Sequence, residues 1–169
     1  MKKWKLTVVK FILIVLTLFV MVFIFQMSAM DAENSSKLSS SVGYTVGEVV
    51  VEGFNELPPL EQEQYVDSIE HPLRKLAHYA EFTALGILLM LDFMVLFGLN
   101  GIKRFILSLL TGLIYAATDE IHQLVVSGRS CELRDVLIDV GGVLSGCILA
   151  GVIIYIVHIK FDLHRSRIV

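Results

Sequence analysis

Four long runs of apolar residues, separated by short polar segments, dominate the pattern of the chain. They cover residues 6–27, 76–99, 105–126 and 136–159. Each run contains roughly 20 residues or slightly more, which is enough for a helix to cross a hydrocarbon core about 30 Å thick. The pattern therefore predicts an all-α, polytopic membrane protein with four transmembrane helices.

The polar segment 28–71, between the first two apolar runs, has a pattern of its own. Apolar residues recur in it every four positions, which predicts a short helix with one apolar face. These residues are Leu38, Val42, Val46, Val50 and Phe54. Ser35 or Ser36 is the expected cap of this helix, and Pro72 is expected in the first turn of the second transmembrane helix. The segment either rests on the membrane interface or covers a site as a lid.

The chain is expected to form one small bundle with three parts. Residues 1–27 form an N-terminal transmembrane anchor, residues 28–71 an amphipathic segment, and residues 72–169 a three-helix membrane bundle. The first apolar run is longer than the roughly 7–15 residues of a signal-peptide core. An uncleaved anchor is therefore favoured over a signal peptide.

Basic residues outside the apolar runs indicate the orientation. They precede the first run, lie between the second and third, and follow the fourth, so that four crossings place all of them on one side. They are Lys2, Lys3, Lys5, Lys103, Arg104, Lys160, Arg165 and Arg167. The positive-inside rule makes that side cytoplasmic. Both termini are then cytoplasmic, and the amphipathic segment is extracytoplasmic.

Composition agrees with a membrane protein and excludes one class of partner. Hydrophobic residues make up 55% of the chain, more than is typical of a soluble domain of this length. The formal net charge is −3, and the sequence contains no basic stripe with interleaved aromatic residues. A nucleic-acid partner is therefore not expected. Cys131 and Cys147 fit no metal-ligand spacing, and no disulfide is expected between them.

Ionisable and amide side chains of the last three helices fall at one depth, near the outer ends of these helices. Helical spacing places those of each helix on a shared face, so the three faces are able to converge. They are Arg74, Lys75, His78 and Glu81 in the second helix, Asp119, Glu120, His122 and Gln123 in the third, Arg129 in the following loop, and Arg134, Asp135 and Asp139 in the fourth. A charge in hydrocarbon costs about 2.5–3.5 kcal/mol on insertion scales, which predicts an outward-facing polar site inside the bundle.

Three further residues lie outside the three polar faces. Asp92 lies deeper than the polar layer, and Tyr115 is a candidate partner for it. Gln26, at the outer end of the first helix, is a candidate to reach the polar site.

Three stretches of the sequence resemble the VanZ-like family of membrane proteins. They are RKLAHYAEFTALG (74–86), TDEIHQLVVSGRSCELRDVLIDVGG (118–142) and the serine-rich FQMSAMDAENSSKLSSSV (25–42). The family is named for low-level resistance to glycopeptide antibiotics, chiefly teicoplanin. The resemblance implies a protein of the bacterial cytoplasmic membrane that acts at the outer face of the cell envelope, and it implies no particular reaction.

The leading hypothesis is a site for an anionic membrane lipid or a lipid-linked cell-wall precursor. Arginine forks match phosphate or carboxylate groups at headgroup depth. The expected binding residues are Arg74, Lys75, Arg129, Arg134, Gln123, Asp135, Asp139 and Glu81. If the protein also modifies the ligand, His122 is the expected general acid or base, oriented by Asp119. His78 and Glu120 would then complete the catalytic set.

Two alternatives remain open. A metal-binding hydrolase would have ample ligands in His78, Glu81, Asp119, Glu120, His122, Asp135 and Asp139, but the neighbouring cations oppose a divalent ion, and we expect no metal or other cofactor. A structural network would instead pair Arg74 with Glu81, Arg129 with Glu120, and Arg134 with Asp139. The sequence decides neither whether the protein is an enzyme nor its oligomeric state.

Overall fold

The computed structural model describes residues 2–166, and side chains for residues 3–160. The described chain is helical, without a strand. Its helices are α1 (Lys2–Ser28), α2 (Ala32–Val50), α3 (Pro59–Val95), α4 (Gly101–Gln123) and α5 (Leu133–Ser166), with a 3₁₀ turn at Phe54–Glu56. Within this part of the chain, α1, α3, α4 and α5 are long and apolar enough to cross a membrane. The predicted all-α architecture with four candidate spans is confirmed.

Large apolar side chains cover the outer surfaces of these four helices. Phe11 and Phe19 of α1 are 68% and 65% exposed, and Ile114 of α4 is 64% exposed. An apolar exterior of this extent is unfavourable in water but suits contact with lipid chains. The chain is accordingly a multi-pass membrane protein.

The second span begins earlier than the sequence predicts. Pro59 lies in the first turn of α3, which then continues without a break to Val95, so Pro72 is inside the helix. Placing the helix start at Pro72 was wrong. A proline ring has a backbone angle suited to a first turn, and the Pro58-Pro59 pair provides that start 13 residues earlier. Pro72 removes one ladder hydrogen bond from α3 but does not end the helix.

The connection between the first two spans contains the predicted helix, with a different cap and a different buried face. Asp31 caps α2 by accepting a 2.8 Å hydrogen bond from the backbone N–H of Asn34, and Ser35 lies inside the helix. The expectation that Ser35 or Ser36 is the cap was therefore wrong. The same hydrogen bond lowers the pKa of the Asp31 carboxyl group.

Small residues form the buried face of α2. Gly43 lies against Val66 of α3, and Gly47 lies against the ring of Phe54, so closely that added side chains would overlap both neighbours. Leu38 and Val42 of the predicted apolar stripe are instead 49% and 46% exposed. The small residues let α2 pack close to α3, which turns the larger apolar residues away from that contact.

The close packing of α3 on α5 forms the centre of the bundle. Gly142 and Gly146 lie directly against backbone carbonyl groups of α3, and Gly86 lies against the backbone of α5. This approach is possible only because none of the three has a side chain. The surrounding core contains Ile24, Phe82, Leu85, Leu89, Met90, Ala116, Val143, Cys147 and Ala150.

Asp92 has a partner from the first helix. The hydroxyl group of Thr17 donates a 2.6 Å hydrogen bond to Oδ2 of Asp92. Tyr115 donates to the carbonyl oxygen of Met21 at 2.5 Å. The expected pairing of Tyr115 with Asp92 was wrong, because each residue pairs with α1 instead.

Candidate functional site

A small polar cleft lies at the end of the bundle where α4 ends and α5 begins. It is lined by Arg74, Lys75, His78, Glu120, Gln123, Arg129, Asp135, Ile138 and Asp139. All of these except Ile138 were expected at a polar site. The predicted convergence of three helices therefore places most of the expected residues around one cleft.

Two cations of the cleft form ion pairs, but not the pairs that the structural-network alternative predicted. Lys75 on α3 pairs with Asp135 on α5. Arg74 lies 3.6 Å from the Glu70 carboxylate and 3.2 Å from Nδ1 of His71. The expected pairing of Arg74 with Glu81 is replaced, because Glu70 precedes Arg74 by one turn in a helix that continues through Pro72.

Arg129 connects the loop after α4 to the start of α2. Its Nε donates a 3.2 Å hydrogen bond to the carbonyl oxygen of Met30. Burial lowers the pKa of Arg129, and the nearby positive charge of Arg74 lowers it further. An arginine keeps its proton at neutral pH. Arg74 and Arg129 both line the cleft, so two guanidinium groups border it.

A histidine and two aspartates meet beside the cleft. His78, Asp119 and Asp139, called here the His–Asp–Asp cluster, each contribute one possible ligand atom, and these atoms lie within 4.8 Å of one another. Asp119 and Asp139 are 3% and 2% exposed. Oδ2 of Asp119 accepts a hydrogen bond from Ser28 at 2.6 Å and one from Gln123 at 3.4 Å.

His122 does not take the position expected for it. Its ring stacks on Phe25 of α1, with ring centroids 4.4 Å apart. No hydrogen bond joins His122 to Asp119 among the described side chains, and Oδ2 of Asp119 accepts from Ser28 and Gln123. His78 is the histidine beside Asp119. The expected His122–Asp119 pair is therefore not formed.

The remaining expected residues differ in how closely they approach the cleft. Glu120 is 1% exposed, and its Oε1 accepts a 2.6 Å hydrogen bond from the backbone N–H of Glu132, not from Arg129. Glu81 is half-buried near the cleft, and its Oε2 is buried. Arg134 is exposed and does not line the cleft, so its expected pairing with Asp139 is not formed either.

A second, apolar depression opens beside the polar cleft. This apolar groove lies between the end of α1, the start of α2 and one side of α3, and its empty space, including the part open to solvent, is about 550 Å³. It is lined by Met27, Met30, Ser35, Leu38, Ser39, Val42, Leu73, Arg74, Ala77, His78 and Arg129. Arg74, His78 and Arg129 line both depressions, so the two meet at these side chains.

Sequence reasoning missed the groove and one polar contact. The apolar stripe of α2 was recognised, but its role as a groove wall depends on how α2 is rotated against α3. Gln26 was expected to reach the site, yet it is exposed, and Ser28 two residues later is the α1 residue that bonds to Asp119. The sequence contained one indication that Ser28 reaches the site, which is that Ser28 lies at the outer end of the first apolar run.

The chain is a multi-pass membrane protein with four candidate spans and a cluster of polar residues at one end of the helical bundle. The chain belongs to the VanZ/LLP1 family, whose family model matches residues 12–156. The match includes α3 and α4 entirely, most of α1 and α5, and every residue that lines the polar cleft. No curated protein and no solved structure shows significant similarity to the chain.

Proposed function

We propose that this protein binds an anionic lipid of the bacterial cell envelope, or a lipid-linked cell-wall precursor, at an outward-facing site. The anionic head group lies in the polar cleft and the hydrocarbon chain lies in the apolar groove. Through this binding the protein contributes to low-level teicoplanin resistance. The proposal combines the geometry of the two depressions with the family to which the chain belongs.

The observation that carries the proposal is the junction of the two depressions. Arg74 and Arg129 border the polar cleft on one side and the apolar groove on the other. A lipid needs this combination, because its charged head and its apolar chain are covalently joined. The groove allows the chain to stay in apolar surroundings while the head group reaches the two arginines.

The two arginines that line the cleft support a phosphate or carboxylate head group. Guanidinium groups bind such anions through two parallel hydrogen bonds, which are stronger than bonds between neutral groups. Lys75 is already paired with Asp135, and Arg74 is shared with Glu70 at 3.6 Å. Arg129, whose Nε bonds only to a backbone carbonyl group, is the cation with the most to gain from an anionic ligand.

The positions of the basic residues support an outward-facing site. Lys103 and Arg104 lie at the start of α4, at the end of the bundle opposite the polar cleft. If this end is cytoplasmic, as the positive-inside rule requires, the cleft lies at the outer face of the membrane. Envelope lipids and cell-wall precursors would meet the protein there.

A purely structural role for the polar residues is the alternative. A structural network is most favourable when its buried members satisfy one another. Among the described side chains, however, buried atoms of Glu81, Asp119, Glu120 and Asp135 have no hydrogen-bond partner. These unpartnered oxygens mean that the polar residues do not form a closed network, which counts against a purely structural role.

The proposal is tested by measuring lipid affinity in nanodiscs of zwitterionic phosphatidylcholine. The full chain is titrated with a polyprenyl phosphate and, separately, with the uncharged polyprenol. We expect the phosphate to bind and Arg129→Gln to weaken its binding by about 10-fold or more, since bonds to charged groups contribute roughly 1.5–3 kcal/mol.

Lys103→Gln is the matched control, because it removes an exposed cation at the opposite end of the bundle. It should change the affinity by less than about twofold. Equal binding of polyprenol and polyprenyl phosphate, or equal losses in the two variants, would show that the cleft does not select an anionic head group.

A further inference from the structure

We propose that the His–Asp–Asp cluster binds one divalent transition-metal ion, Zn²⁺ or Mn²⁺. The sequence led us to expect no metal, because cations surround the possible ligands. The geometry of His78, Asp119 and Asp139 points the other way. This inference goes beyond lipid binding and does not depend on it.

The three side chains have the separation that one ion requires. Their ligand atoms lie within 4.8 Å of one another. Ligand atoms about 2.0–2.2 Å from a tetrahedral zinc ion are roughly 3.4 Å apart, so side-chain movements of about 1 Å close the site. The residues come from α3, α4 and α5, so three different helices hold the ligands in place.

The cluster leaves polar atoms without partners in a buried place. Nδ1 of His78 and Oδ1 of Asp119 are buried and have no hydrogen-bond partner among the described residues. Asp119 is only 3% exposed, and its other oxygen is held by Ser28 and Gln123. A ligand carboxylate in a metal site is commonly fixed in this way, with one oxygen bonded to protein donors and the other left to the ion.

Charge balance also favours a divalent cation. Two carboxylates buried in a membrane bundle are costly unless a positive charge compensates them. Of the cations near the cluster, Lys75 pairs with Asp135 and Arg74 lies beside Glu70. Arg129 donates its Nε–H to the carbonyl oxygen of Met30 and not to either carboxylate of the cluster. One divalent ion with a neutral imidazole and two carboxylates gives a site of no net charge.

The ligand set selects the class of ion. Imidazole suits zinc and other transition metals, while carboxylates suit harder ions that include manganese and magnesium. Magnesium prefers oxygen ligands and keeps several of its water molecules, so a mostly buried site with a histidine ligand disfavours it. Three protein ligands also leave a coordination position open, as in metal sites that bind a water molecule or a substrate.

The test measures metal content directly. The full chain is purified in mild detergent, stripped with a chelator, incubated with ZnCl₂, MnCl₂ or MgCl₂, desalted and assayed by elemental analysis. We expect about one zinc or manganese ion per chain and no retained magnesium. In competition with a chromophoric chelator, Asp139→Asn and His78→Gln should each lower the affinity for zinc or manganese by about tenfold or more. Loss of a residue that only supports a metal ligand can already lower metal affinity by this factor.

Asp92→Asn is the matched control, since Asp92 is a buried carboxylate bonded to Thr17 away from the cluster. It should keep wild-type metal affinity. Repeating the assay with Cys131→Ser excludes adventitious binding by the exposed thiol group. Asparagine has nearly the shape of aspartate, so Asp139→Asn should not disturb the packing. A melting curve checks that each variant is folded. Less than about 0.1 ion per chain, or unchanged affinity in both ligand variants, would overturn the proposal.

These measurements can refute the metal site and the lipid site independently of each other. A protein that binds polyprenyl phosphate but no metal would refute only the ion site. A protein that binds one zinc ion but does not discriminate polyprenyl phosphate from polyprenol would refute only the lipid site.

Discussion

Ser28, the last residue of α1, donates a buried 2.6 Å hydrogen bond to the carboxylate of Asp119 on α4. The two residues are separated by 91 positions in the sequence. Ser28 is fully buried and Asp119 almost so. The first helix therefore does more than anchor the chain, because it supplies a hydrogen-bond donor to the polar end of the bundle.

We expect Ser28→Ala to destabilise the protein. Loss of the hydroxyl group leaves Oδ2 of Asp119 with only the 3.4 Å contact to Gln123. The expected cost is about 1–3 kcal/mol, the usual penalty for leaving a buried acceptor without its donor. Thermal unfolding in detergent, followed by circular dichroism, measures the change.

Ser108→Ala is the control for this substitution. Ser108 of α4 is also fully buried, but its hydroxyl group has no hydrogen-bond partner among the described residues. Its removal should be neutral or slightly stabilising. Equal losses of stability in the two variants would mean that the Ser28–Asp119 bond contributes nothing specific.

A second expectation concerns the contact between α3 and α5. Gly146→Ala places a methyl group against the backbone carbonyl of Thr83, where no flexible side chain can move aside. We expect a loss of about 1–3 kcal/mol, typical of overpacking. In Gly151→Ala the new methyl group would lie 3.7 Å from Met90 Cε, an ordinary contact, so this control should keep or gain stability through better helix propensity. Comparison of the two melting temperatures tests the packing, and similar values would contradict it.

A third expectation separates the two histidines. His78 lines the cleft and belongs to the His–Asp–Asp cluster, whereas His122 stacks on Phe25. If the protein contributes to teicoplanin resistance as proposed, we expect His78→Gln to abolish that protection at unchanged membrane abundance. His122→Phe keeps an aromatic ring for the stack and should retain protection. Susceptibility assays with immunoblots for abundance measure both, and the reverse pattern would restore His122 to the role that the sequence suggested for it.

A fourth expectation concerns orientation. Cys131 in the α4–α5 loop is exposed, and Cys147 in α5 is buried, so only the first should react readily with a thiol reagent. If the polar cleft faces outward, a membrane-impermeant maleimide should label Cys131 in intact cells. Cys131→Ser should abolish the labelling. Labelling that requires permeabilised cells would place this loop in the cytoplasm and reverse the orientation.

Apolar runs of about 20 residues predicted the four spans, and helical spacing predicted that their polar faces converge. These patterns are local and need no knowledge of how the helices pack. The continuation of α3 through Pro72 was not predictable in the same way. A proline is compatible with a first turn and with a helix interior, and the choice depends on the favourable start at Pro59.

The individual contacts of the site were less predictable than its composition. Helical spacing places His122 and Asp119 near one another, but the Phe25 ring draws the imidazole toward α1. The engagement of Ser28 with Asp119 depends on how far α1 is rotated and shifted along α4. Such rotations are set by small residues at helix contacts, and a single sequence does not show which small residues face which helix.

The central claim is that one ligand occupies the cleft and the groove together. The most direct test compares Ala77→Trp, which fills the groove, with Ala80→Trp on the same helix, where the exposed residue does not line it. Each variant is titrated with polyprenyl phosphate and with hexyl phosphate, whose chain is too short to need the groove.

We expect Ala77→Trp to weaken polyprenyl phosphate by about 10-fold or more and to leave hexyl phosphate unchanged, because the indole ring obstructs the chain but not the phosphate. Ala80→Trp should affect neither ligand. Polyprenyl phosphate that binds Ala77→Trp as tightly as the unmodified protein would show that no lipid chain occupies the groove, and would contradict the account.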